Sequence, residues 1–351
     1  MSGQASQKIQ SVDQWSKLAA LRFVLASIVA FNHLAEMMPI GVLSVIPMLG
    51  TFEAILGFLL VSGYSIGVSY RKEPTHFLWR RIKRIYPVYL ASLVLMGIVL
   101  YSGSDTLPAA SEWAINLLFL NQLLVPTSIV GPAWSLSLEF WLYCLTPLLF
   151  TLSDKAIKRL IAVSFIAFCA YTCGRTLFHW TYYSGTVFGL NLLLLAFIWL
   201  SGLLLARNKE SGGSGSIMRS IVAMFAIYIA LSIAIQAGYR LKHGEMAQFF
   251  QIDLLPFILR ICTLAAVAFL FRNILRQGPG GKPSAWMRML GDISFPLYML
   301  HIPVFELLKR TAIKSPTVYF AAAFGASVVA YKALDLYSQR RHAPRKMPVA
   351  A

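Results

Sequence analysis

The strongest constraint in this sequence is a succession of nearly uncharged apolar runs, each close to twenty residues long. A helix needs roughly 20 such residues to cross a hydrocarbon layer ~30 Å thick, and only helices or closed barrels satisfy their backbone polar groups there. Reading for such runs predicts ten spans, at 18–36, 47–69, 85–102, 134–152, 159–177, 186–206, 217–237, 253–272, 289–309 and 316–335. The stretch Trp113–Leu124 is apolar but too short to cross, so it is expected to be interfacial or re-entrant. Composition agrees. Hydrophobic residues make up 58% of the chain and charged residues 13%, against about 45–50% and about 25% in soluble domains. The expected fold is all-α, a polytopic transmembrane bundle of about ten helices with both termini cytoplasmic.

Orientation follows from where the cations fall. With the N-terminus inside, external segments hold six of the 31 lysines and arginines (Arg175, Arg240, Lys242, Lys309, Arg310, Lys314), Arg260 lies within a span, and the other 24 are cytoplasmic. The loop 103–133 carries no Lys or Arg, whereas Lys309, Arg310 and Lys314 run against the trend. This distribution obeys the positive-inside rule better than its inverse does. It also accounts for the net charge of +17 through loops facing anionic lipid headgroups. No nucleic-acid partner is expected.

Residues 1–17 read as a cytoplasmic tail, 18–335 as one membrane domain, and 336–351 as a short basic cytoplasmic tail. The Gly/Ser run at 211–216 reads as a flexible link between spans six and seven. Cys144, Cys169, Cys173 and Cys262 fall inside apolar runs without the partners of a zinc site and are expected to be small buried hydrophobes. No metal site is expected.

Ionisable groups inside spans are expensive, so each is a functional candidate. They are His33 and Glu36 in the first span, Glu53 in the second, Glu139 in the fourth, Arg260 in the eighth, and Asp292 and His301 in the ninth. At 1.5 Å rise per residue, His33 lies roughly 16–22 Å above the cytoplasmic face. Counting inward from the external end of span four puts Glu139 ~8 Å below the outer face, roughly 22 Å above the inner one. Glu53 and Arg260 come out about 9–10 Å below the outer face. One histidine, two glutamates and an arginine can thus share a level. Blander readings compete with this one: an interhelical hydrogen bond for His33, an interfacial position for Glu36, a structural ion pair for Glu53 and Arg260, and a helix border for Asp292.

Five fragments then stand in a telling order. They are Arg22 and His33 with ten residues between them; Leu59-Leu60-Val61-Ser62-Gly63-Tyr64; Arg80-Arg81-Ile82-Lys83-Arg84-Ile85-Tyr86-Pro87; Trp134-Ser135-Leu136-Ser137-Leu138-Glu139; and Ser294-Phe295-Pro296-Leu297-Tyr298-Met299-Leu300-His301. In this order, over nearly the whole chain, the sequence resembles the acyltransferase 3 family of integral membrane O-acyltransferases. The resemblance implies transfer of an acyl group from acyl-CoA, most simply acetyl-CoA, to a hydroxyl of a carbohydrate or glycolipid. It implies an inner-membrane location in a bacterial host. The fused hydrolase-like domain of some members is not read here.

Carried over by motif, His33 is the expected general base, or an acylated intermediate, with Glu139 orienting its imidazole as a carboxylate does in a catalytic triad. Arg22, Arg80, Arg81 and Arg84, with Ser62, Tyr298 and His301, are expected to bind the donor, since guanidinium forks suit CoA phosphates. Glu53, Trp134, Ser135 and Arg260 are expected to contact the acceptor. The competing classes are a transporter of a lipid-linked sugar or small metabolite and a non-catalytic assembly subunit. No inverted repeat or pair of broken spans supports the transporter.

Overall fold

In a computed structural model the long apolar runs become long helices, because in lipid each run satisfies its own backbone. The structure describes residues 2–103, 106–209, 213–276 and 284–342, with side chains from Gln14 to Leu336. In chain order the helices are α1 (Ser2–Met37), α2 (Val45–Met48), α3 (Thr51–Lys72), α4 (Phe77–Ser102), α5 (Ala110–Leu117), α6 (Ala133–Thr151), α7 (Asp154–Leu177), α8 (Leu190–Arg207), α9 (Ser214–Lys242), α10 (Met246–Gln248), α11 (Leu254–Arg276), α12 (Ala285–Lys309) and α13 (Pro316–His342). Short 3₁₀ turns precede α2 and α8, and a π-helical turn, Phe249–Asp253, leads into α11. No strand occurs among the described residues.

Nine helices among the described residues are long and apolar enough to cross a membrane. The tenth expected span, 289–309, is helix α12. At 25 residues it is long enough, but Asp292, His301, Glu306, Pro296 and Pro303 dilute its apolar run. Those polar groups are admissible because α12 packs between α1 and α13 with its middle and outer half buried. The protein is an all-α integral membrane bundle. The predicted tail 1–17 continues α1 backward as helix. Residues 343–351 of the basic tail, and 210–212 around the start of the Gly/Ser run, lie outside the described residues.

The centre of the bundle is α3, buried along most of Glu53–Gly67 and crossed closely by α8. Small residues permit the approach: a Cβ on Gly63 would stand 1.9 Å from the Trp199 carbonyl oxygen, and one on Gly202 would stand 2.3 Å from that of Leu60. Such small-residue contacts are how helices associate in lipid, where no hydrophobic gain separates one apolar face from another.

Helix ends on the basic face are closed by arginines. Arg71 donates to the Ala206 carbonyl at 3.2 Å, and Arg207 donates to those of Leu149 and Leu152 at 3.2 and 2.9 Å while pairing with Asp154 at 3.0 Å. These cations satisfy carbonyls that helix termini leave open. The Ser153 hydroxyl accepts from the Ala156 N–H to start α7.

Trp113–Leu124 does not cross the bundle but folds back against α4 and α6. The Phe119 carbonyl accepts from Ser137 Oγ at 2.7 Å and from Trp141 Nε1 at 2.8 Å, more than a turn into α6. On the other side Tyr89 of α4 donates to the Asn116 carbonyl at 2.8 Å. Non-helical backbone at this depth is tolerable only inside protein, and Asn121, Gln122 and Val130 are buried. The first turns of α6 therefore begin inside the bundle rather than at its outer surface.

The cysteines differ from expectation. Cys262 is exposed and the other three are partly exposed, all of them free. On a bundle surrounded by lipid, exposure costs a thiol nothing, so burial was not required.

Candidate active site

Among the described residues two cavities open side by side in the bundle, and Ile55 and Tyr298 line both. The first, about 390 Å³, lies toward the basic face, where α1 and α4 enter the bundle and α3 leaves it. The second, about 830 Å³, lies toward the opposite end, around the last turns of α1 and α7 and the first of α3. Both volumes fall in the range of small-molecule sites.

The basic cavity collects Arg22, Arg81, Arg84, Ser62, Ser135, Glu139 and Tyr298 from the expected residues, and adds Tyr143, Asp292 and Ser294. Arg22 donates to Ser65 Oγ at 2.9 Å. The Glu139 carboxylate accepts from the Tyr143 hydroxyl at 2.7 Å and from Ser62, with the Arg22 and Arg81 guanidiniums in electrostatic range. Ser135 Oγ lies 2.7 Å from the Tyr298 hydroxyl, which closes the cavity toward its neighbour. The Nε of Arg81 is buried and has no hydrogen-bond partner.

Arg80 takes a different place from its expected partners. It pairs with Glu73 at 3.0 Å and donates to the Glu73 and Thr75 carbonyls, tying down the turn where His76 adopts a left-handed φ of 53°. Arg84 falls between Arg80 and Arg81 in helical projection, so these bonds to the turn, rather than a different helix face, hold Arg80 out of the cavity. Lys83 lies over exposed Trp79, 5.0 Å from the ring centroid.

The outer cavity holds His33, Glu53, Trp134 and Arg260 from the expected residues. The expected pairing of His33 with Glu139 is not found: the two side chains line different cavities. Instead His33 Nδ1 donates to Glu36 Oε2 at 3.1 Å, and Asn32 donates to Glu36 Oε1 at 2.7 Å. The depth count failed because it took Trp134 as the outer surface, whereas α6 starts below it. Glu36, expected only to sit at the interface, is exposed at the cavity mouth yet orients the imidazole. Its spacing three residues after His33 was the available signal.

A carboxylate cannot donate, so the Nδ1–H points at Glu36, and in the neutral ring the lone pair falls on Nε2. The His33 ring stacks on that of His301 at 5.4 Å between centroids. His301 is fully buried, lines neither cavity, and donates from Nδ1 to the Leu297 carbonyl at 2.9 Å. It supports His33 from behind rather than reaching the basic cavity.

At the far wall, Glu53 accepts from Tyr228 at 2.9 Å. Gly50 caps α3 at φ +93°, and a Cβ there would meet Glu53 Oε2 at 2.0 Å and Arg260 Cγ at 2.9 Å. Arg175 spreads over Tyr182 and Tyr183 at 4.6 and 5.2 Å. Burial pushes both phenols upward from their ordinary range, so they remain neutral hydrogen-bonding groups. Arg175, Tyr182, Tyr183 and Tyr228 were not singled out from sequence. Among the described residues, no group of three His, Cys, Asp or Glu side chains could hold a metal.

An acyltransferase domain model of the acyltransferase 3 family matches residues 15–331. The chain belongs to that family. It is an acyltransferase, which sets aside the transporter and assembly-subunit readings. A protein of Acidianus two-tailed virus, provisionally named an acetyltransferase, is 26% identical over 309 residues, covering 83% of this chain and 84% of its own. The acyltransferase MdmB of Streptomyces mycarofaciens is 36% identical over 118 residues, 30% of each chain. No solved structure matches this acyltransferase with significance.

Proposed function

We propose that this acyltransferase moves an acyl group, most simply acetyl, from acyl-CoA in the basic cavity to a hydroxyl of a carbohydrate or glycolipid in the outer cavity. The observation that carries this reading is the meeting of two chemically different cavities at Tyr298 and Ile55. On the basic side, Arg22, Arg81 and Arg84 suit the phosphates of CoA, and the unpartnered Arg81 Nε is a donor awaiting an acceptor. On the other side, Trp134, Tyr182, Tyr183 and a fringe of amides and hydroxyls suit a sugar.

In this scheme His33 Nε2 takes the acceptor hydroxyl's proton as its oxygen attacks the thioester carbon. The C–O bond forms, the C–S bond breaks, and the imidazolium returns the proton to the departing thiolate. Glu36 orients the ring and steadies its charged form, as a carboxylate does in a triad. Glu139, held by Tyr143 and Ser62, balances and positions Arg22 and Arg81.

The test is transfer of radiolabelled acetyl from acetyl-CoA in proteoliposomes holding the full chain. Replacing Arg81 and Arg84 together with Gln should raise the donor KM about tenfold or more, with a smaller fall in kcat. A donor KM that does not move would remove the basic cavity as the CoA site.

A further inference from the structure

Among the described residues three arginines have a buried Nε with no hydrogen-bond partner: Arg81, Arg175 and Arg260. All three line a cavity, Arg81 the basic one and the other two the outer one. Two arginines that line neither cavity are engaged. Arg207 and Arg240 each pair with a carboxylate, and Arg240 serves Asp253, Glu245 and Gln248 at once. Open donors on a guanidinium therefore coincide with space for a ligand.

The placement of charged partners in the outer cavity points the same way. Arg175 and Arg260 face it with no ion pair within 4.0 Å among the described residues, and Glu53 is the carboxylate on their wall. The other carboxylate of the cavity, Glu36, is committed to His33 and Asn32. Neither carboxylate closes the Nε–H donors of Arg175 and Arg260, which stay open on the cavity wall. Both guanidiniums are held in place by aromatic faces, Arg175 by Tyr182 and Tyr183 and Arg260 by Phe257 at 5.6 Å. Fixed forks with free donors suit a planar or tetrahedral oxyanion.

We infer that the outer cavity takes an anionic acceptor, its carboxylate or phosphate held by Arg175 and Arg260 while a hydroxyl of the same molecule faces His33. This deepens the proposed acyl transfer and rests on it for the role of the hydroxyl. The binding of the anion does not depend on the chemistry.

The experiment uses the full chain in phosphatidylcholine vesicles at constant ionic strength, with methyl glucoside, glucuronate and glucose 1-phosphate as probes. Saturation-transfer NMR reads binding and acetyl-CoA consumption reads transfer. At least one acidic sugar should bind roughly tenfold to a hundredfold more tightly than methyl glucoside, since each charge-assisted bond is worth about that factor. Arg175→Gln and Arg260→Gln should each cut this acidic-over-neutral ratio about tenfold, and Arg260→Lys should restore part of it. Phosphatidylglycerol added to the vesicles forms a separate arm. Competition by it, lost in the same variants, would assign the anion to a lipid headgroup and support the site. Equal binding of neutral and acidic sugars without such competition, or an unchanged ratio in folded variants, would overturn the inference. Selective binding without any transfer would leave the anion site standing and count against the transferase reading of the cavity.

Discussion

A single turn of α1 carries the most specific chemistry in the molecule. Asn32, His33 and Glu36 are linked through the Glu36 carboxylate, a link that in the neutral imidazole puts the lone pair on Nε2. If this imidazole takes the acceptor's proton, His33→Gln should lower kcat by about 10²–10⁴, the usual worth of a positioned general base. Its side chain is 27% exposed at a cavity, so the substitution empties no packed core. A folded His33→Gln protein that transfers at the normal rate would end the base assignment. Glu36→Gln keeps the shape but can no longer support an imidazolium, and kcat should fall roughly tenfold to a hundredfold, the worth of one charge-assisted bond. The pair was half legible. Arg22 and His33 announced themselves by spacing, yet Glu36 looked like an ordinary interfacial acid because it lies near a span end. Glu139 looked like the better partner because span length alone cannot reveal that α6 begins inside the protein.

At the scale of helices, apolar run length predicted most spans to within a few residues, because twenty residues of uninterrupted hydrophobicity have no other stable use in this chain. Rotation of each helix about its axis was not legible. It depends on contacts such as the α3–α8 crossing, where two glycines rather than any hydrophobic pattern decide the register. Nor could the basic run show that Arg80 would be held by Glu73 and the Thr75 carbonyl while Arg81 and Arg84 reach the cavity. The crossing makes its own prediction. Gly63→Ala puts a methyl group against the Trp199 backbone, which cannot swing aside as a side-chain tip can. Thermal unfolding in detergent should show a destabilisation of about 1–3 kcal/mol, typical of overpacking. Gly325→Ala, in α13 with open space around the new methyl, is the matched control and should shift the midpoint little.

Across the whole molecule, the two cavities pose a problem of containment. Under the proposed transfer, a thioester brought from the basic side must meet an acceptor from the other without meeting water on the way, since water is a competing nucleophile that active sites exclude. Tyr298 stands at that junction, lining both cavities and bonded through its hydroxyl to Ser135 of α6. Phe58 packs on its ring at 5.4 Å, so the partition is a packed aromatic pair rather than a lone side chain. Truncating it joins the cavities. Tyr298→Ala should therefore raise the ratio of acceptor-independent acetyl-CoA hydrolysis to acetyl transfer several-fold, whatever it does to the total rate. Tyr298→Phe keeps the ring and loses only the hydroxyl's contacts with Ser135 and the Pro132 carbonyl, each worth at most about 0.5–1.5 kcal/mol, and should keep that ratio nearer its starting value. Thiol release measured beside labelled product separates the two fluxes. Unaltered partitioning in Tyr298→Ala would mean that the barrier between donor and acceptor lies elsewhere, and that the shared wall at Tyr298 and Ile55 is not the place where the acyl group crosses.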